Sequence, residues 1–124
     1  MTHSVLQWPG TIYPGEVRAE CPEAEAVVDA LILELGRQGP QPAGYNVKNL
    51  GHKLGGLWQI NLKVEKRQVR ILYAPYKDRI VLFRIHKKGS PQEQKRAYDL
   101  AQKRKAAFEE SERKNKRDGN RTIH

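Results

Sequence analysis

This 124-residue chain has one cysteine, no histidine pair at the spacing of metal ligands and no long apolar run. The single cysteine, Cys21, excludes an internal disulfide and suits a reducing compartment. The four histidines lack the paired spacing of zinc sites, so we expect neither a metal nor another cofactor. No stretch approaches the roughly eighteen apolar residues that span a bilayer, and the N-terminus lacks the features of an export signal. We therefore expect a cytoplasmic protein that no membrane anchors.

Acidic side chains are scarce in the middle of the chain. Residues 39–88 contain eleven basic and two acidic side chains, whereas residues 1–38 contain two basic and six acidic ones and residues 89–124 contain ten and six. A concentrated positive surface attracts phosphate backbones, and added salt weakens that attraction. Acidic membranes would be attracted too, and a basic protein can simply be soluble, but the segregation of the two signs favours a nucleic-acid partner.

The length suits one domain, which we place at residues 1–108. A short first strand is predicted over 3–8, where apolar side chains precede a Pro-Gly pair. A helix is predicted over about 22–37, because proline and glutamate begin the segment and apolar residues then recur at helical spacing. One or two further helical turns are predicted over 45–54.

Three consecutive segments alternate between apolar and polar side chains, which is the clearest structural signal in the chain. The period of two predicts strands over 58–64, 69–74 and 79–86, with turns at 65–68 and 75–78. Short connections make neighbouring strands antiparallel, so these strands should form a meander.

A final helix is predicted from 91 to beyond 108. Ser90, a proline and Glu93 combine a capping residue, a favourable first position and a capping box. Beyond Phe108 the sequence is strongly polar, so we expect residues 109–124 to be a basic, frayed or disordered tail. Such a tail can tether nucleic acid or simply be a solvated end. The fold class is therefore α+β, with an N-terminal strand and helices packed on an antiparallel three-to-four-stranded meander.

An ordered set of short motifs resembles the phage-derived HigB-like branch of the RelE/ParE toxin superfamily. The motifs are LGHKLGGLW at 50–58, VRILY at 69–73, IVLF at 80–83, and the Lys87-Lys88 pair with the proline and alanine that follow it. The resemblance covers roughly residues 22–105. It implies a RelE-like fold, with the strand, helices, meander and final helix in the order predicted above.

The resemblance also implies a function. Members of this superfamily are toxins of type II toxin–antitoxin pairs, and the HigB and RelE members cleave messenger RNA on the ribosome without a metal. The implied partners are mRNA, the ribosome and a small antitoxin, commonly a helix-turn-helix repressor of the HigA type. Two alternatives stay open. One is a ParE-like toxin that inhibits DNA gyrase by binding, and the other is a non-catalytic RNA- or ribosome-binding module.

Three residues are predicted to be catalytic. Metal-free RNA cleavage needs a base for the 2′-hydroxyl proton, cations for the phosphate and an acid for the leaving oxygen. The resemblance matches Arg70 to the family's second-strand arginine, and Lys87 to the first lysine of its basic pair. His86 is the histidine nearest that pair and can exchange a proton near neutrality. Each has a structural alternative: an exposed strand arginine, a surface lysine, or a packed histidine on the face of Ile80 and Leu82.

Further basic residues are candidates for RNA binding. In the superfamily's best-known ribosome-dependent members, the first meander strand carries basic residues where this chain has Gln59 and Asn61. Either other cations replace them, or catalysis depends on Arg70 and His86, or the chain binds RNA without cutting it. The predicted RNA-binding residues are Lys53, Lys63, Lys66, Arg67, Arg84 and Lys88.

Overall fold

The computed structural model describes residues 3–114 and the backbone of residues 121 and 122. The strands are β1 Ser4–Gln7, β2 Asn46–Asn49, β3 Trp58–Val64, β4 Arg67–Tyr76, β5 Arg79–Lys87 and β6 Arg121–Thr122. The helices are α1 Val17–Glu20, α2 Glu25–Gln38 and α3 Pro91–Lys114. The strands form one mixed sheet in the order β2-β3-β4-β5-β1-β6. The predicted α+β class is therefore confirmed.

Strands β3 to β5 form the predicted antiparallel meander, and β2 pairs antiparallel with β3 at its edge. The connections within it are shorter than expected, because Arg67 and Pro75 belong to β4 and Pro75 pairs with Ile80. Only two residues separate β3 from β4 and β4 from β5. Glu65 and Lys77 begin these turns with φ angles of 56° and 57°, a backbone conformation that a tight hairpin turn requires.

The N-terminal strand β1 pairs in parallel with β5, with Val5 opposite Ile80, which makes the sheet mixed. The pairing stops at Leu82, whose carbonyl accepts a hydrogen bond from the Trp8 backbone N–H at 3.0 Å. The second half of β5 is therefore left without a neighbouring strand on that side. This gap is filled by α1 and becomes part of the site described below.

The helical turns predicted over 45–54 are wrong for residues 46–49 and hold only for one short turn at His52–Leu54. Residues 46–49 form edge strand β2, antiparallel to β3, and a short 3₁₀ turn follows at His52–Leu54. Within β2 only Val47 is partly buried, while its three neighbours are exposed. An edge strand needs few apolar side chains, so the pattern of period two was too short to be recognised, and the surrounding apolar residues imitated helical spacing.

Two apolar clusters lie on opposite faces of the sheet. One joins the sheet to α2, the predicted helix, which a 3₁₀ turn at Pro22–Ala24 precedes. The other joins the sheet to α3, with Phe108 at its centre. The sheet therefore separates two layers of helix, and the basic strands lie between them.

The start of α3 is the predicted capping box. Ser90 Oγ accepts from the Glu93 backbone N–H at 3.1 Å, and Glu93 Oε1 accepts from the Ser90 backbone N–H at 2.8 Å. The expected fraying after Phe108 is wrong for residues 109–114, which remain helical because Glu112 is buried and accepts a hydrogen bond from Arg79 at 2.6 Å. The rest of the predicted tail lies outside the described residues, except for β6. No helix in the described part is apolar over a length that could cross a bilayer.

Candidate nucleic-acid interface

A β-bulge decides which side chains of β5 face α3. Leu72 pairs with Arg84 and Tyr73 pairs with Leu82, so Phe83 is an extra residue in β5. After the bulge the alternation is shifted by one position. Arg84 and His86 therefore lie on the α3 face, and the expectation that they share a face with Ile80 and Leu82 is wrong. The pattern of alternation alone could not reveal this shift, because the bulge occurs inside a continuous apolar run.

Three surface grooves meet at the segment Lys87–Gly89, between the end of β5 and the start of α3. Lys87 and Lys88 line the first groove with the β3–β4 turn. Lys87 and Gly89 line the second groove, between α1 and α3. Lys88 and Gly89 line the third groove, beside the 3₁₀ turn that precedes β3. The predicted basic pair, Lys87 and Lys88, thus lies where three surface grooves meet.

The first groove, which we call the cation groove, has a volume of about 380 Å³. Among the residues that the structure describes, no carboxylate lines it. Arg67 lies 3.5 Å from Glu23 but remains half exposed, so its guanidinium can still contact a ligand. Converging cations of which only Arg67 has a carboxylate partner among the described residues attract a phosphate backbone. The lining residues are Lys66, Arg67, Gln68, Lys87 and Lys88.

Arg70 lies next to this groove on the α3 face of β4, between Asn61 of β3 and His86 of β5. Its Nη1 donates a hydrogen bond to Gln94 Oε1 of α3. Its Nε is buried without a hydrogen-bond partner among the described residues, and no carboxylate in that part of the chain forms an ion pair with it. Arg70 therefore keeps an uncompensated positive charge beneath the first turns of α3.

A chain of hydrogen bonds extends from Gln94 to Gln59 and Asn61, the positions at which the best-known ribosome-dependent members of the toxin superfamily carry basic residues. Gln94 Nε2 donates to the Tyr98 hydroxyl at 3.0 Å, and this hydroxyl donates to Gln59 Oε1 at 2.8 Å. Gln59 Nε2 then donates to Asn61 Oδ1 at 3.1 Å. Gln59, supported by Asn61, thus holds α3 on the sheet through uncharged hydrogen bonds. Lysine or arginine at these two positions has no oxygen to accept them.

His86 is buried, with 3% of its surface exposed. Its Nδ1 lies 3.2 Å from the Lys87 carbonyl oxygen, which can only accept, so Nδ1 carries a proton and Nε2 has a free lone pair. Burial lowers the pKa of His86 to about 4, and the positive charges of Arg84 and Arg70 act in the same direction. Nε2 has no hydrogen-bond partner within the described chain. At neutral pH this nitrogen is an unoccupied proton acceptor at the edge of the second groove.

Arg84 has a different role from the one predicted. Its guanidinium forms ion pairs with Glu16 at 3.1 Å and Glu20 at 3.4 Å. The same carboxylates accept hydrogen bonds from the backbone N–H groups of Ile85 and Lys87, on the side of β5 that β1 does not reach. Arg84 and Arg104, whose Nη1 lies 2.7 Å from Glu16, therefore neutralise the two glutamates that close this edge, and the charge of Arg84 is not free to attract RNA.

The remaining candidates lie around the grooves. Lys53 belongs to the 3₁₀ turn and lines the third groove. Lys63 is exposed on β3, opposite Gln68 of the cation groove. Neither forms an ion pair among residues 3–114. In the same part of the chain, no group of three or more histidine, cysteine, aspartate or glutamate side chains is arranged to hold a metal.

Sequence reasoning missed the contribution of α3. Gln94 and Tyr98 lie four residues apart on one helix face, and Arg96 lines the second groove beside His86. The spacing of Gln94 and Tyr98 was a usable signal, because residues at i and i+4 share a helix face. Arg96 carried no signal that distinguished it from the other basic residues of a polar helix.

In three comparisons with known proteins, no family model, no curated protein and no solved structure matches this chain.

Proposed function

We propose that this chain is the toxin of a type II toxin–antitoxin pair, of the HigB-like branch of the RelE/ParE superfamily, and a ribosome-associated endoribonuclease that cleaves mRNA without a metal. The observation that carries the proposal is the cation groove, which no carboxylate of the described residues lines and which shares Lys87 with the second groove, where His86 lies opposite Arg70. A ribose-phosphate chain that passes from the cation groove over Lys87 into the second groove would bring a 2′-hydroxyl to a neutral histidine beside an uncompensated arginine.

The proposed reaction assigns one task to each catalytic residue. His86 Nε2 takes the proton of the 2′-hydroxyl, whose oxygen attacks the adjacent phosphorus. Arg70 stabilises the charge that develops on the phosphate oxygens, since a guanidinium is always charged and offers forked donors. The bond to the 5′-oxygen breaks, and the Lys87 ammonium gives that oxygen a proton. The products are a 2′,3′-cyclic phosphate and a free 5′-hydroxyl.

The partners belong to the same proposal. Lys63, Lys66, Arg67 and Lys88 would contact mRNA or ribosomal phosphates around the cleavage site, and Lys53 would extend this surface into the third groove. A small antitoxin, of the helix-turn-helix HigA type, would neutralise the toxin in the cytoplasm. The RelE-like fold is supported by the order of elements: strand, helices, meander and final helix.

A second candidate function is RNA or ribosome binding without cleavage. The specific observation in its favour is that α3 covers the catalytic candidates. Arg70 donates a hydrogen bond to Gln94 of this helix, and His86 is almost fully buried. In this case the cation groove alone would act, and Arg70 would hold α3 in place.

Expression in bacteria separates these functions. The nuclease predicts a block in reporter translation, transcripts with new 5′-hydroxyl ends and no induction of the DNA-damage response. Induction of that response without transcript cleavage would instead indicate a gyrase inhibitor. A growth block with intact transcripts and no damage response would indicate binding alone and would overturn the nuclease proposal.

The variant Arg70→Ala tests the catalytic assignment. We expect a loss of cleavage rate of about a hundredfold, which is the usual cost of removing one preorganised donor to a developing oxyanion. Arg37→Ala is the matched control, because Arg37 is exposed on α2 and its one ion pair among the described residues is with Glu34 of the same helix. A folded Arg70→Ala protein that cleaves ribosome-bound mRNA at the wild-type rate would refute the role of Arg70.

A further inference from the structure

The third groove has the composition of a nucleotide-binding site. It has a volume of about 710 Å³, within the range of roughly 300–1,000 Å³ that is common for small-molecule sites. One wall is the 3₁₀ turn with Lys53 and Leu54, and the other is the face of α3 that carries Gln94, Tyr98 and Gln102. Lys88 lies where the end of β5 meets this groove. An aromatic ring, an aliphatic side chain and amide groups thus line one cleft between two lysines.

The aromatic ring in this groove is fixed before any ligand arrives. The Tyr98 hydroxyl donates to Gln59 and accepts from Gln94, so two hydrogen bonds hold a side chain that is only half buried. A ring that is already ordered loses little conformational entropy when a ligand stacks on it. Tyr98 therefore resembles a stacking platform more than a loosely exposed surface tyrosine.

The opposite wall approaches α3 closely. Gly55 has a φ of 68°, and a Cβ atom built there would lie 3.3 Å from Cγ of Gln102. The backbone of the turn thus borders the helix without an intervening side chain. The Gln102 amide, which has both donors and an acceptor, lies where it can contact the polar edge of a flat ligand.

The charges at the groove favour a ligand with phosphates on both sides. Lys95 is paired with Asp99 at 2.9 Å, so these two lining residues neutralise each other. Lys53 and Lys88 form no ion pair with any described residue. Lys88 also lines the cation groove, so the two grooves meet at this lysine and one phosphate could be held where they meet.

We propose that the third groove binds an unpaired base of single-stranded RNA, which stacks on Tyr98 while Lys53 and Lys88 contact the flanking phosphates. This inference rests on the proposed RNA binding and adds a base-recognition site to it. Stacking on an aromatic side chain tolerates every base, because every base has a π face. Gln102 then provides the polar contact that distinguishes one base edge from another.

The test uses the full chain and two labelled eight-nucleotide oligomers with 2′-O-methyl riboses, which cannot be cleaved by 2′-hydroxyl attack. One oligomer carries bases and the other is abasic, so both have the same phosphates. Fluorescence anisotropy at low salt should show that the wild-type protein binds the base-carrying oligomer about tenfold more tightly, the magnitude of one stacking contact. Tyr98→Leu should abolish this preference, whereas Tyr98→Phe, which keeps the ring and loses the two hydrogen bonds of the hydroxyl, should keep a weaker preference.

Tyr45→Leu is the matched control, because Tyr45 is a half-buried tyrosine packed on the α2 side of the sheet. It should leave the preference unchanged. Independently, an oligomer containing 5-iodouridine should photo-crosslink to the peptide that carries Tyr98 in the wild-type protein, which keeps the test valid even if Tyr98→Leu does not fold.

The possible failures are distinguishable. Equal binding of the two oligomers, or crosslinks only at peptides outside this groove, would overturn the base site while RNA binding stands. If neither oligomer binds at low salt, the proposed RNA-binding function itself fails, and the base site fails with it.

Discussion

The two halves of α3 contact the sheet in different ways. In the second half, Phe108 is fully buried and its ring centroid lies 5.0 Å from Tyr76, 5.9 Å from Trp8 and 6.0 Å from Phe83. In the first half, Ala97 and Ala101 offer the sheet only single methyl groups, and Gln94 and Tyr98 add hydrogen bonds to β4 and β3.

One helix, α3, can thus be anchored to the sheet by its second half while its first half lines the second and third grooves of the candidate site. Buried aromatic contacts are lost only when the helix leaves the sheet, and their loss is costly. Each hydrogen bond in the first half contributes only about 1 kcal/mol net, because water or a ligand can replace it. The C-terminal half should therefore determine stability, and the N-terminal half should be the part that rearranges for a ligand.

The largest expected effect comes from removing the anchor. Phe108→Ala should lower the free energy of unfolding by about 4 kcal/mol, because it leaves a cavity among three aromatic rings. Urea unfolding followed by tyrosine and tryptophan fluorescence measures this change. Leu100→Ala is the control, because Leu100 is 37% exposed and its removal should cost less than about 1 kcal/mol. Similar costs for the two variants would contradict the assignment of the anchor.

The free energy of unfolding should depend on pH through His86. Because burial lowers the pKa of His86 to about 4 from its ordinary value of 6.5, the unfolded chain binds a proton between these values and the folded chain does not. Stability that is present above pH 6.5 is therefore lost as the pH falls toward 4, by about 3 kcal/mol.

Urea titrations at pH 7 and pH 4 test this effect against His86→Gln, which lacks the titrating group. The wild-type protein should lose about 3 kcal/mol more than the variant over this interval. Equal losses would show that His86 is accessible to protons in the folded protein.

An intermediate effect is expected at the last turns of α3. Glu112→Gln should cost about 2 kcal/mol, because it removes the charge that pairs with the partly buried guanidinium of Arg79. Glu110→Gln removes a carboxylate from exposed pairs with Arg113 and Lys114 and should cost less than about 0.5 kcal/mol. Thermal unfolding would rank the two variants, and a reversed order would mean that the last turns do not dock.

The smallest effect is expected at the first turns of α3. Gln94→Ala should change the free energy of unfolding by about 1 kcal/mol or less, because water can take over its hydrogen bonds. Amide hydrogen exchange should nevertheless become faster over residues 94–98 and stay unchanged near Phe108. Faster exchange along the whole helix would show that the two halves are not independent.

Much of the fold could be predicted from local patterns. The meander followed from strict alternation in β3 and β4, and the start of α3 followed from the Ser90 and Glu93 capping box. These features are encoded within a few residues, so one sequence is enough to find them. Edge strand β2 was missed because a strand with one partly buried side chain has too short a pattern.

The candidate site was harder to predict because it depends on distant pairings. The bulge at Phe83 is a property of two strands together, and it moves Arg84 and His86 to the other face. The ion pairs of Arg84 with Glu16 and Glu20 join residues more than sixty positions apart. Basic residues can be counted in a sequence, but which of them are already neutralised depends on such long-range contacts.

The parallel pairing of β1 with β5 has a consequence for synthesis. Val5 cannot find its partner Ile80 until some seventy further residues have been made, which takes roughly 4 to 15 seconds at typical elongation rates. During that interval the edge of β1 that pairs with β5 has no partner strand on the nascent chain. The sheet is therefore completed late, and a chain interrupted before β5 would lack the strand that joins its N-terminal segment to the meander.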